Sequence, residues 1–210
     1  MRPNFLIVVS LIVFAFATGP RANAAAQVAV GQSSGSNVIA SFESLDASGC
    51  VITDTFVFAD SGIFNNPPPG GPTPSIVAGI GISQFDQCSG LLTIAAAGST
   101  DQVTLNIATD LSTATLTGTI PVDEVVSGTT LYLTVNMKWT ATADIVHQVS
   151  NSHVRVPGFV AAAHFNGDLR DGLASGSVSG SGQDFTPDVS ISAQFEQLVE
   201  GQVSVQVTKK

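Results

Sequence analysis

Charged side chains are in short supply in this chain: 11% of its 210 residues, with seven Lys or Arg against sixteen Asp or Glu. The shortage of bases removes nucleic acid from the list of partners, because no cluster is present to neutralise phosphates; only Lys209 and Lys210 are adjacent. Anionic membrane surfaces are disfavoured on the same ground. Lys and Glu are also the residues that solvent-facing helices use, so their scarcity argues against a helical architecture. Ser, Thr, Asn, Gln and Gly fill the polar positions instead, which suits the solvent face of extended strands.

Aromatic rings with a polar handle are nearly absent. Trp139 and Tyr132 are the sole Trp and Tyr. Their odd–even spacing places them on opposite faces of a regular strand, so they cannot form one stacking platform for a sugar. Nucleophile geometry is thin as well: Gly176-Ser177-Val178-Ser179-Gly180 carries Val where a nucleophile elbow needs Ser. No catalytic residue is assigned. Cys50 and Cys88 are the only cysteines, too few for an all-Cys zinc site and without Cys-x-x-Cys spacing. In an exported chain they are expected to form one disulfide. Closing a loop of about 39 residues contributes roughly 4 kcal/mol on the chain-entropy estimate.

Long apolar runs are missing with one exception. Phe5 to Ala17 is broken only by Ser10, follows Arg2 and leads to the small residues Ala22-Asn23-Ala24. Residues 1–24 are therefore expected to be a secretory signal peptide, with the mature domain at 25–210. The expected location is secreted or extracellular, with retention at the cell envelope as the alternative. No second apolar stretch of about 20 residues follows, so no stable membrane insertion is expected after cleavage. Loss of Arg2 and Arg21 leaves five bases against sixteen acids, a distinctly acidic mature protein. The short signal and the lack of Asn-x-Ser/Thr sites favour a bacterial source.

What the chain does have is period-two patterning. Val103, Leu105 and Ile107 alternate with Thr104 and Asn106. Leu131, Leu133, Val135, Met137 and Trp139 alternate with Tyr132, Thr134, Asn136 and Lys138. Such alternation marks strands with one buried face. Two hairpins are expected early, one around the turn Leu45–Gly49 and one around Phe85–Ser89. Five prolines between Pro67 and Pro74 bar that tract from a sheet interior and make it a surface loop. Asn166-Gly167 is the strongest short hairpin signal in the chain. The fold expected for 25–210 is all-β: a single antiparallel β-sandwich of ten to twelve strands, with Greek-key connections allowed and a Pro-rich surface loop. Division into two small β domains near residues 98–101 is the alternative.

Five residues stand out as site candidates. His153 and His164 flank a turn near Pro157-Gly158 and face each other if their strands alternate, forming with Asp168 or Asp144 an acid–base pair or a metal site. Arg170 is one of two arginines left after processing and is expected to clamp neighbouring strands through a carboxylate such as Asp168 or Asp171. Asp168, Asp171 and the Asn166 carbonyl, or Asp184 and Asp188, supply oxygen donors for a structural calcium ion, without matching the twelve-residue calcium loop. No other cofactor is expected. The plainer reading of these groups is a solvated strand face.

The functional expectations rank accordingly. First comes an exported, non-catalytic structural or protein-interaction β protein, with an extracellular protein or glycan as partner. A glycan-binding module is second, and a glycoside or metal-dependent hydrolase third. An exposed aromatic row would promote the second; two facing acids, or His153 and His164 converging on a third ligand, would promote the last.

Overall fold

A computed structural model describes residues 27–65, 72–156 and 159–207. The expected signal peptide and the centre of the Pro-rich tract, 66–71, lie outside the described residues. Eleven strands follow one another: β1 Gln27–Leu45, β2 Val51–Asn65, β3 Pro72–Asp86, β4 Leu91–Thr100, β5 Val103–Ile107, β6 Thr113–Glu124, β7 Thr129–Ala141, β8 Val146–Val156, β9 Phe159–Gly180, β10 Gln183–Asp184 and β11 Ser192–Val207. No helix occurs among the described residues. The all-β antiparallel reading holds, and the strand count falls inside the expected range.

All eleven strands belong to one hydrogen-bonded sheet, and that sheet closes. Following the pairing, β9 joins β11, β11 joins β1, and the path runs through β2, β3, β4, β6 and β7 back to β9. Apart from the closing pair β11–β1, neighbours on this path either succeed each other along the chain or skip one short or peripheral strand, as in β4–β6, β7–β9 and β9–β11. The two layers expected of a sandwich are opposing walls of this single ladder. Its narrowest seam is β4–β6, where only Ala96↔Glu124 and Ala97↔Asp123 pair and the Val125 amide donates to the Ala95 carbonyl. Gly98 sits beside that seam because a Cβ there would collide with the Pro121 carbonyl.

Alternation puts one side chain in two into a common core. Val38, Val57, Ile80, Leu116, Ile120, Leu133, Met137, Trp139, Val178 and Phe195 are all at most 2% exposed. They form one cluster, to which residues on both sides of 98–101 contribute. Burial of each large apolar side chain stabilises by about 1.5–3 kcal/mol, so these positions dominate the favourable side. Trp139 crosses the interior and donates its indole N–H to the Ile39 carbonyl at 3.0 Å, which satisfies its one polar atom. Where β11 leaves β9, the segment after β10 takes over. The Phe185 and Ser190 amides donate to Val178 and Ala174 carbonyls, and the Thr186 and Ser190 hydroxyls accept from the same two residues' amides.

The disulfide forms as expected. Cys50 and Cys88, 38 residues apart in sequence, tie the β1–β2 turn to the β3–β4 turn. Around them Asp46 accepts amides from Cys50 and Val51, and Asp86 accepts from Cys88 and Ser89. Both expected early hairpins are present in register.

Two expectations are corrected. Asn166-Gly167 is no hairpin: both residues lie in the middle of β9, a continuous 22-residue strand. Glycine is required there by packing, since a Cβ at 167 would strike the Gln197 carbonyl of β11, next to the register shift between Leu198 and Glu200. The loop is also shorter than its prolines suggested. Pro72 and Pro74 are part of β3, paired with Asn65 and Ile63. They are tolerated because β4 joins β3 only from Ala78 onward, which leaves this stretch an edge.

Candidate functional site

Several strands are longer than the barrel needs. Beyond the core, β8, the first half of β9, the second half of β11, the first third of β1 and the outer ends of β2 and β3 continue as an open six-stranded apron. β9 belongs to both regions. Its Gly172 to Ser179 stretch pairs with β7 in the barrel wall, and Phe159 to Leu169 pairs with β8 in the apron.

The alternation of β9 continues across this boundary, but its polarity inverts. In the barrel Ala174 and Val178 point inward and are fully buried, while Ser175, Ser177 and Ser179 point out. In the apron the inner face carries His164, Asn166, Asp168 and Arg170, and the outer face carries Ala161, Ala163, Phe165 and Leu169. The inner face has no opposite wall here, so apolar side chains on it would gain nothing from burial.

All three histidines of the chain share that inner face, through the registers His147↔Asp168, Asn151↔His164 and His153↔Ala162. His147 Nδ1 lies 2.8 Å from Asp168 Oδ1, the one basic–acidic side-chain contact within ion-pair distance among the described residues. His164 Nδ1 lies 2.6 Å from Asn151 Oδ1. An amide oxygen can only accept, so Nδ1 is the donor in this contact. His153 and His164 both line a shallow depression of about 300 Å³, floored by Ala162 and Ser204 and completed by Asn151 and Gln202. The two histidines lie on one face but are offset by two positions, His153 pairing with Ala162 and His164 with Asn151, so they do not stand directly opposite. Asp168 is engaged by His147 instead of joining them.

Arg170 and Asp171 separate. Arg170 donates Nε to the Ala143 carbonyl at 2.7 Å and NH1 to the Asp110 carbonyl at 2.9 Å. It fastens the β5–β6 and β7–β8 connections over the end of the barrel, using carbonyls where a carboxylate was expected. Asp171 faces outward and accepts from Gln194 Nε2. The expected calcium loop at 166–171 is therefore not a loop. Its donors lie in one extended strand, with Asp168 and Asp171 on opposite faces. Asp184 is occupied with the Thr186 amide and hydroxyl. Among the described residues, one group brings three possible ligand atoms together, Cys50, Asp86 and Cys88, and its sulfurs are bonded to each other.

Three features escaped sequence reasoning. Asp60, Asn37 and Glu196 stand in register across β2, β1 and β11. Asn37 Nδ2 donates to Glu196 at 2.9 Å, while Asn37 Oδ1 is buried without a partner. Burial pushes the Asp60 carboxyl above the ordinary carboxylate range, and the Glu196 charge adds to the effect. No local signal marks this row, because it exists only once three distant segments are aligned. Glu124 is the second. It is 6% exposed, and its carboxylate accepts the Ala95, Val126 and Ser127 amides at the β4–β6 seam. Third, Gly31-Gln32-Ser33-Ser34-Gly35 has the spacing of a nucleophile elbow, yet it lies inside extended β1 with no strand-to-helix turn.

A larger cleft of about 810 Å³ lies between the inner face of β1–β3 and Asp101, lined by Ser34, Ser61, Ser75, Ile63 and Ile76. No aromatic residue is among its described lining residues. Trp139 is in the core and Tyr132, 70% exposed, stands on the outer wall. No helix among the described residues is long and apolar enough to cross a membrane. No family model, curated protein or solved structure matches this chain.

Proposed function

We propose that this is an exported, non-catalytic interaction protein that binds a partner by strand addition at the β8 edge of the apron. One observation carries this reading. β8 pairs with β9 alone, and every residue from Val146 to Arg155 is exposed. One row of its backbone N–H and C=O groups therefore lacks a partner strand among the described residues. Such a row is a ready template for an extended segment. Soluble proteins usually blunt long edges with Pro, Lys or a bulge, and β8 has none of these.

The glycan-binding reading ranks second. The 810 Å³ cleft supplies serine hydroxyls and an Asp carboxylate over an isoleucine floor. It lacks the ring platform that sugar faces use.

The test is amide hydrogen exchange of the purified protein, run against a panel of extended alternating Thr–Val nonapeptides of positive, zero and negative charge and against a set of soluble oligosaccharides. Slower exchange confined to 146–156 with at least one peptide is expected. Protection at Ser34, Ser61 and Ile76 by an oligosaccharide, with β8 unchanged throughout, would replace strand addition by the glycan reading.

A further inference from the structure

We propose that the β8 edge takes β8 of a second copy of this chain, antiparallel, with the two-fold axis passing through Asn151. The inference rests on the strand-addition reading above and names its partner. Three observations point to a second copy.

The first is the composition of the edge. β8 reads Val146-His147-Gln148-Val149-Ser150-Asn151-Ser152-His153-Val154-Arg155-Val156. About Asn151, Ser150 answers Ser152 and Val146 answers Val156, His147 answers the basic Arg155, and Val149/His153 and Gln148/Val154 set an apolar residue against a polar one. Antiparallel self-pairing about Asn151 sets each residue opposite its counterpart, so small faces small and no acid meets an acid. An isologous contact needs this self-complementarity.

Charge supplies the second observation. Arg155 has no carboxylate within ion-pair distance among the described residues, where the single pair is His147 with Asp168. Self-pairing places Arg155 of the second copy directly opposite His147, on the face that carries Asp168 one strand further in. The guanidinium then meets the carboxylate already fixed beside His147, and symmetry repeats the contact. The bases of the apron edge lie on β8 and the matching acid on β9, the arrangement a two-fold pairing uses.

Closure is the third. The other free edge of the apron is the start of β3, where Pro72 and Pro74 offer no backbone N–H. A β8-to-β3 contact would be head-to-tail and would propagate into an open chain; those prolines block it. Between the two edges of the apron, the pairing left open is β8 with β8, which closes at two copies.

The experiment is site-specific crosslinking of the purified protein with its native disulfide intact. On a two-fold axis only the axial residue faces its own copy. Asn151→Cys is expected to give a covalent dimer under mild oxidation, whereas Val149→Cys and His153→Cys, made singly, are not. Sedimentation supplies the second arm. Ser150→Lys with Ser152→Lys puts lysine opposite lysine twice and should weaken dimerisation about tenfold. Ser150→Glu with Ser152→Lys restores opposite charge at the same positions and should recover it. Because both variants change only exposed side chains, the recovery separates pairing from folding. A monomer at every concentration, or equal crosslinking at 149, 151 and 153, overturns the inference. If the monomer still binds a Thr–Val peptide with protection of 146–156, strand addition stands and only the identity of the partner falls. If neither occurs, both fall.

Discussion

The barrel and the apron are built from the same strands and differ in what faces them. Within the barrel, inward residues such as Trp139, Val135 and Val178 meet an opposite wall and lose all contact with water. In the apron, inward residues of the same β9 strand are His164, Asn166 and Asp168, which are half-buried and polar, with Asp168 held by His147 and Asn166 Oδ1 buried without a partner. Hydrogen-bond ladders run through both regions, interrupted only by local register shifts such as those at Ser33/Gly35 and Leu198/Glu200, so backbone pairing alone does not distinguish a stable core from an exposed platform. Side-chain burial does, and it assigns stability to one end and binding chemistry to the other.

The largest expected contrast is mutational. Trp139→Ala should cost about 3–5 kcal/mol, read as a fall in denaturant midpoint, whereas Val149→Ala in β8 should stay within about 0.5 kcal/mol. Comparable losses at both sites would abolish the distinction between the regions. Reduction of Cys50–Cys88 comes next, with roughly 4 kcal/mol as an upper figure for the cross-link. The bond sits at the turns of β1–β2 and β3–β4, so amide exchange in β8 should hardly respond to its loss. Gly98→Ala attacks the barrel where its seam is narrowest and should cost about 1–3 kcal/mol through overpacking against the Pro121 carbonyl. An unchanged midpoint would mean that closure is not needed for stability.

The smallest effect is acidic. Hydrogen bonds from the Ser48 hydroxyl and the Val51 amide hold Asp46 below the ordinary carboxylate range; Ser89 does the same for Asp86, Ser112 for Asp110 and Ser127 for Glu124. Their contributions are present above the ordinary carboxylate value, near 4, and are lost as pH falls through the depressed folded values. Asp60 has the opposite sign. Its folded value is raised, so its cost is felt above that value and is relieved on acidification. Midpoints should therefore drop below pH ~4, and Asp60→Asn should enlarge the total fall from neutral pH by raising stability there. A shallower drop in that variant would remove Asp60 from the account.

Much of the barrel was legible along the chain. The alternation of Leu131 to Trp139 placed Trp139 inside and Tyr132 outside, as found. The cysteine pair was read from its isolation. Legibility failed where one residue type serves two geometries. Gly167 after Asn166 signals a turn by local preference, but here it lets β11 approach β9. Pro72 and Pro74 exclude a sheet interior, and only the pairing pattern reveals that they lie in a strand at its edge. The candidate site was half visible: His153 and His164 do line one depression. Asp171 did not join Asp168, because adjacent odd and even positions in one strand point apart.

The order of polar and apolar residues along the chain determined that it would form strands, which side of each would be buried, and that two cysteines would meet. Closure of the sheet through β7, the row Asp60–Asn37–Glu196 and the unpaired edge of β8 were decided by which segments pair, from Ala141 with Gly172 to Asn37 with Glu196, 159 residues away. Period-two alternation fixes a side chain's face and says nothing about which strand lies beside it; that choice is made only when the whole ladder closes around one core.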